Sequence, residues 1–370
     1  MTPGQASFVV KATRLCNLRC TYCHDWRDGP GQTMPFQVLA RLTATALAEP
    51  EHRRVEFIWH GGEPTVLPMS FYRKALFLQE QFRRPGQDIR NTVQTNGTRI
   101  TDEWAAFLRD YQFRVGVSLD GPPEVHDRER RYVSGRPSWD DVAQGMARLR
   151  AHGVAFQVLM VVDERVLQLG ADGVFDFLVA NGITHCGFNA ATPTNQPSAG
   201  PHTPTDHYVT PARMNAFLAG LYDRWEEHGD PGLHVREFDG LRRRLAGQAP
   251  GYCKLAGACL GRYYIVEPDG AIAHCDLFLG DPAYHLGNVM TESWAELRAG
   301  IPMACLTGQR EAELDAMRAC PEFALCQGWC PHEQYLARRH DPAYRDTCCG
   351  LRGLIDHVRN RLDLPTLVSR

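Results

Sequence analysis

The chain has 370 residues, 44% of them hydrophobic and 22% charged, with a formal net charge of −3. That is enough apolar material to bury a full core, and more length than one simple domain needs. The scattered Lys and Arg give no electrostatic footprint for nucleic acid, no stretch approaches the ~20 apolar residues of a membrane span, and the start, MTPGQASFVVKATRLC, lacks the features of a signal peptide. A cytoplasmic protein that engages neither nucleic acid nor membrane is expected.

In chain order, β-rich apolar runs fall at 7–12 (SFVVKA), 55–60 (VEFIWH), 91–95 (NTVQT), 113–119 (FRVGVSL), 155–162 (AFQVLMVV) and 184–189 (THCGFN). Apolar spacings of three and four predict helices at about 35–49, 70–84, 102–110, 138–152, 166–180 and 211–227. Such alternation is the pattern of a parallel α/β sheet. Six β-α units are too few to close an eight-stranded barrel, so the expected fold is a partial (β/α)6 TIM barrel with its site at the C-terminal strand ends. Residues 190–210, rich in Pro, Thr and Gly, predict a long loop that could lie over the barrel mouth, and Pro/Gly-rich joints near 228–233 and 247–251 suggest a boundary between 1–230 and 231–370.

Thirteen cysteines are many, and in a reducing compartment metal binding is a better reading than disulfides. Cys16, Cys20 and Cys23 follow the first predicted strand, three lie at 16–23 and nine at 253–349, with Cys186 alone between. Iron–sulfur cubes are held by cysteine thiolates, normally four. Three ligands in one loop leave one iron open, as in metal centres that bind substrate or cofactor. By itself such a loop also suits a zinc site or buried thiols. His24 and His60 read as neighbours of a centre rather than ligands, and Trp26 and Trp59 as packing residues.

With Tyr22 before its last cysteine, the C-x-x-x-C-x-x-C loop resembles the signature of the radical S-adenosylmethionine (SAM) superfamily. Gly61-Gly62-Glu63-Pro64 after the second strand matches that family's GGEP motif, and Gln94-Thr95-Asn96-Gly97-Thr98 and Ser118-Leu119-Asp120-Gly121-Pro122 also fit, with His126, Asp127 and Arg130 following. The resemblance implies a [4Fe-4S] cluster on Cys16, Cys20 and Cys23, with the GGEP residues against the methionine amino group of SAM. A Gly-Gly turn permits close backbone approach, and a carboxylate suits an ammonium. Ser118 and Arg130 are implied as contacts of SAM's carboxylate or ribose.

From Cys253 the pattern reads Cys253-x5-Cys259, Gly270-x4-Cys275, Cys320-x5-Cys326-x3-Cys330 and Cys348-Cys349, around a hairpin predicted to turn on Pro268-Asp269-Gly270. This array resembles the SPASM extension of radical SAM enzymes, a small cysteine-rich C-terminal domain carrying auxiliary [4Fe-4S] clusters. The resemblance implies Cys253, Cys259, Cys275 and Cys330 for the first cluster and Cys320, Cys326 and Cys348 for the second. The family has a cysteine three residues before Cys320, where this chain has Met317. An open iron, a substitute such as Cys349 or Asp315, or no stable second cluster are the alternatives. Cys186 and Cys305 fall outside the pattern and read as buried packing residues. Paired C-x2-C knuckles, the mark of a zinc ribbon, are absent from this region.

The implied chemistry is reductive cleavage of SAM to a 5'-deoxyadenosyl radical that takes a hydrogen atom from a substrate carbon, the cofactor performing the hard step. The electron is expected from a flavodoxin- or ferredoxin-type reductant. Asp276 matches the catalytic aspartate of the anaerobic sulfatase-maturating enzymes, the members this chain most resembles; it reads equally as a hairpin carboxylate. Those enzymes continue the first cysteine loop with a Phe-Tyr pair, where this chain has His24-Asp25-Trp26. The leading expectation is oxidation of a peptide or protein side chain, with one or two auxiliary clusters receiving an electron and a base receiving a proton. The alternatives are redox-neutral epimerisation of a sugar or other natural product, with Cys186, Cys305 or Cys349 as hydrogen-atom donor, and a non-catalytic electron-transfer protein. Because strand one comes so early, no N-terminal peptide-recognition domain is expected.

Overall fold

The computed structural model describes residues 4–23, 32–193, 208–257, 259–278 and 280–362. His24, Asp25, Trp26 and most of the 190–210 loop lie outside the described residues. The six expected strands are present as β1 (Gln5–Thr13), β2 (Arg54–Gly61), β3 (Asp88–Thr95), β4 (Arg114–Ser118), β5 (Phe156–Val162) and β6 (His185–Ala190). The expected helices are α1 (Phe36–Ala48), α2 (Met69–Phe82), α3 (Asp102–Asp110), α5 (Trp139–Ala151), α6 (Glu164–Ala180) and α7 (Pro211–His228). Between α3 and α5 lies α4 (Pro123–Glu129), whose seven residues are too few to display a helical repeat.

Local chemistry sets these boundaries. The Thr101 side chain accepts a hydrogen bond from Trp104 N at the start of α3, and Asp163 Oδ1 accepts from Arg165 N and Val166 N at 3.0 and 2.9 Å at the start of α6. Helix α7 opens on the Thr210 cap with Pro211 behind it and ends at Gly229, φ 65°. Alternating burial along β2 turns Val55, Phe57 and Trp59 toward the helices and leaves Glu56, Ile58 and His60 on the inner face. Trp59 is a packing residue, as expected; its indole N–H donates to Asn91 Oδ1 at 2.8 Å.

All strands from β1 to β6 pair in parallel, and a two-residue β7 (His234–Val235) adds a seventh parallel strand after β6. This strand lies beyond residue 230, so the parallel sheet continues past the joint at 228–233. A helix α8 (Arg236–Leu245) follows. The expected hairpin, β8 (Tyr263–Val266) and β9 (Ala271–His274), does not form a separate sheet: β8 pairs in parallel with β1, from Ser7↔Tyr263 to Val10↔Val266. With β10 (His285–Asn288) the order is β10-β9-β8-β1-β2-β3-β4-β5-β6-β7, an open barrel wall extended by the hairpin. The C-terminal helices are α9 (Trp294–Ala299), α10 (Ile301–Met317), α11 (Phe323–Cys326), α12 (Pro331–His340) and α13 (Arg352–Arg361). Phe8 stacks on Tyr264 and Trp294 packs tilted against both, with centroids 4.9 to 5.5 Å apart, joining β1, β8 and α9 in one buried core. Among the described residues no helix is long and apolar enough to cross a membrane.

Candidate active site

The loop carrying Cys16, Cys20 and Cys23 leaves the C-terminal end of β1 and is fixed from three directions. Residues after β2 are zipped to it, with Gly62 N donating to Thr13 O and Glu63 N to Leu15 O, each at 2.8 Å. A Cβ on Gly62 would lie 2.1 Å from Leu15 O, so this glycine is required by the approach of the cysteine loop itself. Residues after β3 hold the next portion: Asn17 Nδ2 donates to Thr98 Oγ1 at 2.8 Å, and Asn96 Nδ2 to Asn17 Oδ1 at 2.9 Å. The end of the unexpected α4 and the residues just after it hold the last portion, through Thr21 N to Glu129 O and Arg19 N to Arg131 O at 3.0 and 2.7 Å.

Glu63 is 1% exposed, and its carboxylate points into the protein. It accepts from Thr65 N, Thr65 Oγ1 and Thr95 Oγ1 at Oε1 and from Asn96 N at Oε2, at 2.6 to 2.9 Å. The carboxylate thereby ties the turn after β2 to the end of β3.

Arg130 is buried between the cysteine loop and β4. Its Nη1 donates to Tyr22 Oη at 2.6 Å and lies 3.6 Å from Asp120 Oδ2, while Tyr22 Oη is hydrogen-bonded to Asp120 and Asp120 Oδ1 accepts from Val161 N. Arg130 Nε is buried with no hydrogen-bond partner among the described residues. His126 accepts from Asp120 N at Nδ1 and donates from Nε2 to Ser138 Oγ, whose hydroxyl donates to Arg130 O. Asp127 caps α5 by accepting from Ser138 N and Trp139 N. The residues trailing the fourth strand therefore build the seat of Tyr22. Ser118 Oγ accepts from Gln94 Nε2 at 3.0 Å at the barrel's inner face.

Burial pushes the Cys16 thiol up to about 12, with Glu63 and the neighbouring Cys20 and Cys23 adding to the effect. Burial also raises Cys20, opposed by Arg130. Leu18 N donates to Cys16 Sγ at 3.3 Å and Asn96 Nδ2 approaches the same sulfur at 3.9 Å.

Inside the barrel lies a cavity of about 860 Å³. Its barrel wall sets the polar side chains Glu56, Thr92, Gln94, Arg114 and Gln157 among apolar ones such as Val9, Ile58 and Leu159; a filled barrel would be dominated by branched apolar residues. Thr92 Oγ1 donates to Glu56 Oε1 at 2.8 Å. The opposite wall is formed by Cys253, Cys259, Cys275, Cys330, Asp276 and Tyr263. Gln94 lines the cavity and links it to Ser118, whereas Cys16, Cys20, Cys23, Gly61, Gly62, Glu63, Pro64, Ser118 and Arg130 lie outside its lining. Inward-facing Glu56, Arg114 and Arg236 were not marked by any motif; the period-two alternation along the strands is the signal that could have revealed the first two.

The four cysteines on that wall share one electrostatic neighbourhood: Cys253 acts on Cys259 and Cys330, and Cys259 and Cys330 on Cys275. Burial dominates their shifts, taking Cys259 to about 11 and Cys330 to about 12. Cys275 has a left-handed backbone, φ 58°, uncommon for a residue with a side chain and a frequent mark of functional positions. Its sulfur lies 3.7 Å from Asp276 Oδ1. Beside them, burial and Asp276 hold the Tyr263 phenol well above its usual range. His274 is 3.7 Å from Cys259 Sγ through Nε2 and is lowered to about 4, chiefly by burial.

A second group unites Cys320, Cys326, Cys348 and Cys349 at the far end of the C-terminal segment. Met317 is buried at 1% exposure, while Asp315 is exposed and paired with Arg318 at 2.6 Å. Cys186 is fully buried, as expected, but Cys305 is exposed on α10, correcting the expectation of a buried packing residue. A 17-residue helix with a weakly sided sequence turns this position to solvent.

The donors suit iron–sulfur clusters. Among the described residues no three His, Cys, Asp or Glu side chains form a group that could hold a single metal ion. A cube asks for a different arrangement, one thiolate for each iron. The three-cysteine loop with N–H donors at Cys16, and the orphaned buried Arg130 Nε beside it, fit a cluster together with an anionic ligand.

Comparison with known proteins agrees. Residues 10–167 match the family model described as the radical SAM superfamily. The chain is 30% identical to a serine-type anaerobic sulfatase-maturating enzyme of Bacteroides thetaiotaomicron, over 94% of this chain and 88% of that one. It is 28% identical to a cysteine-type enzyme of Clostridium novyi, over 88% and 87%. The structure of anSMEcpe with bound AdoMet, another name for SAM, superposes with a TM-score of 0.83 at 26% identity, over 96% of this chain and 98% of that one, as does a complex with the Cp18Cys peptide. The chain is thus similar to these relatives along most of their length, and it belongs to the radical SAM superfamily, within the family of the anaerobic sulfatase-maturating enzymes.

Proposed function

We propose that this radical SAM enzyme oxidises a peptide or protein side chain at a carbon next to a hydroxyl or thiol, within the cavity between the barrel and the Cys275 hairpin. The observation that carries this reading is the shared wall: Asp276 and the four cysteines 253, 259, 275 and 330 line one 860 Å³ space that Glu56, Thr92, Gln94, Arg114 and Gln157 line from the barrel. The neighbours' names and the peptide complex support a peptide substrate.

In this reading Cys16, Cys20 and Cys23 hold the SAM-binding cluster, and the two C-terminal sets hold auxiliary clusters. When bound, SAM and the clusters supply hydrogen-atom abstraction and an acceptor for the substrate's second electron. Since Glu63's carboxylate is engaged inward, the backbone of Gly61, Gly62 and Pro64 is the part of that turn left to meet SAM's ammonium. Arg130, through its free Nε, and Ser118 meet the anionic and hydroxyl groups. Asp276 receives the proton released when the C–O or C–S bond becomes a double bond, and Tyr263, held protonated, donates to the substrate. The candidate hydrogen-atom donors of an epimerase, Cys186, Cys305 and Cys349, do not line the cavity, and no comparison supports that activity.

The test is an anaerobic assay with reconstituted clusters, SAM, a strong reductant and peptides carrying Ser or Cys. The expected result is stoichiometric 5'-deoxyadenosine with loss of two hydrogens from one peptide, both abolished by replacing Cys16, Cys20 and Cys23 with Ala. Persistence of SAM cleavage in that variant would remove the assignment. A product with unchanged hydrogen count would replace oxidation with a redox-neutral reaction.

A further inference from the structure

Three separate segments bring four thiols together at the end of the C-terminal region, and only three of them belong to the implied second cluster. Cys349 is 4% exposed. Its thiol lies beside those of Cys326 and Cys348, and the Cys348 thiol beside that of Cys320. We infer that Cys349 is the fourth protein ligand of a [4Fe-4S] cluster held with Cys320, Cys326 and Cys348. This inference rests on the reading that the C-terminal cysteines hold iron–sulfur clusters.

Each of the four sulfurs is met by backbone N–H donors two or more residues ahead. Gly328 N donates to Cys326 Sγ and Leu351 N to Cys349 Sγ, both at 3.4 Å; Glu322 N serves Cys320, and Gly350 N and Arg352 N serve Cys348. Such donors stabilise sulfur carrying negative charge and set the properties of a cluster. Cys349 shares this provision with its three neighbours, which a cysteine present only for packing would not require. Left-handed backbone at Gln327, Gly328 and Gly350, with φ 48°, 78° and 85°, folds the chain back beside these sulfurs. The frame is stiff: Glu322 pairs with Arg359 through both oxygens, both side chains at most 2% exposed, fastening the Cys320–Cys326 loop to the helix after Cys349.

The rivals are placed elsewhere. Asp315 has a side chain 66% exposed and committed to Arg318. Met317 offers a neutral thioether and packs within reach of the Gly328 backbone, the methyl 3.5 Å from where a Gly328 Cβ would lie. A thiolate at Cys349 matches the donor that cluster irons take.

The test compares wild type, Cys349→Ala, Cys320→Ala and Cys305→Ala, each reconstituted anaerobically as the full chain. Iron and sulfide per chain are counted and Mössbauer and reduced-state EPR spectra recorded. Cys349→Ala and Cys320→Ala are expected to lose about four irons each, the content of one cube, or to show the altered spectrum of an incompletely ligated cluster. Cys305→Ala keeps the wild-type values. Wild-type iron and spectra in Cys349→Ala, beside a loss in Cys320→Ala, would overturn the role of Cys349 and leave the second cluster standing. Wild-type values in both would remove the second cluster itself, and with it the reading beneath. If Cys349→Ala does not fold, Cys349→Ser carries the comparison: a changed Mössbauer signature of one iron supports ligation, and an unchanged one overturns it.

Discussion

Arg14 and Glu267 form a two-point ion pair, Nε to Oε2 at 2.9 Å and Nη2 to Oε1 at 2.7 Å, with side chains 9% and 14% exposed. Arg14 lies two residues before the first cysteine, and Glu267 begins the turn of the hairpin that carries Cys275. The pair thus clamps the first cysteine loop to the hairpin that forms the cavity's far wall. Breaking a buried pair leaves an uncompensated charge. Glu267→Gln or Arg14→Met is expected to lower unfolding stability by about 3 kcal/mol, and the double variant by less than the sum. Denaturant titration of all four proteins checks this; strict additivity would show that the two residues do not act together.

Glu63 should behave as a structural carboxylate. Glu63→Gln replaces one acceptor oxygen with a donor facing groups that themselves donate, costing about 2 kcal/mol through unsatisfied buried groups. Thr95→Val, which removes one of those donors, should cost about 1 kcal/mol. The expected signature is a lower denaturation midpoint with SAM affinity altered no more than iron retention. A selective loss of SAM binding at unchanged stability would place the carboxylate on the cofactor instead.

Asp276→Asn keeps the shape of the cavity wall and removes the proposed proton acceptor. Product formation should fall at least about 100-fold, the usual contribution of general base catalysis. Formation of 5'-deoxyadenosine should fall less, uncoupling the two. Equal decreases in both would make Asp276 a structural carboxylate of the hairpin.

His126 gives the fold a built-in acid sensitivity. Burial, helped by Arg130, lowers it from 6.5 to about 2, and its Nδ1 must stay unprotonated to accept from Asp120 N. Below the unfolded value the unfolded chain binds a proton that the folded one refuses, so this contribution is complete above pH 6.5 and declines as pH falls toward about 2. The His126→Asn variant should lose up to about 1.4 kcal/mol per pH unit of that slope. Unfolding midpoints measured from neutral to acid pH will show it, and identical slopes would exclude His126 as the source.

Strands β1 to β6 and their helices were legible because β-rich apolar runs and three-four apolar spacing are local properties. The first cysteine loop was legible for the same reason, since it presents three sulfurs within eight residues. Helix α4 escaped because seven residues show no period, and β7 because two residues show no alternation.

The sequence by itself determined which residue types were available: three thiols after β1, a glycine pair after β2, and a cysteine-rich C-terminal segment with Met317 in place of a cysteine. Only the tertiary structure decided what meets what. Pairing of β8 on β1 brings Glu267 to Arg14 and turns Cys275 and Asp276 toward the barrel interior. Folding of the end of the chain sets Cys349 among Cys326 and Cys348. Glu63, which a motif reading offers to a ligand, is turned inward because four donors from two neighbouring segments converge on its carboxylate. Such contacts join residues far apart in the chain, and no local pattern encodes them; the energy of burying charge and polar groups selects them once the sheet has formed.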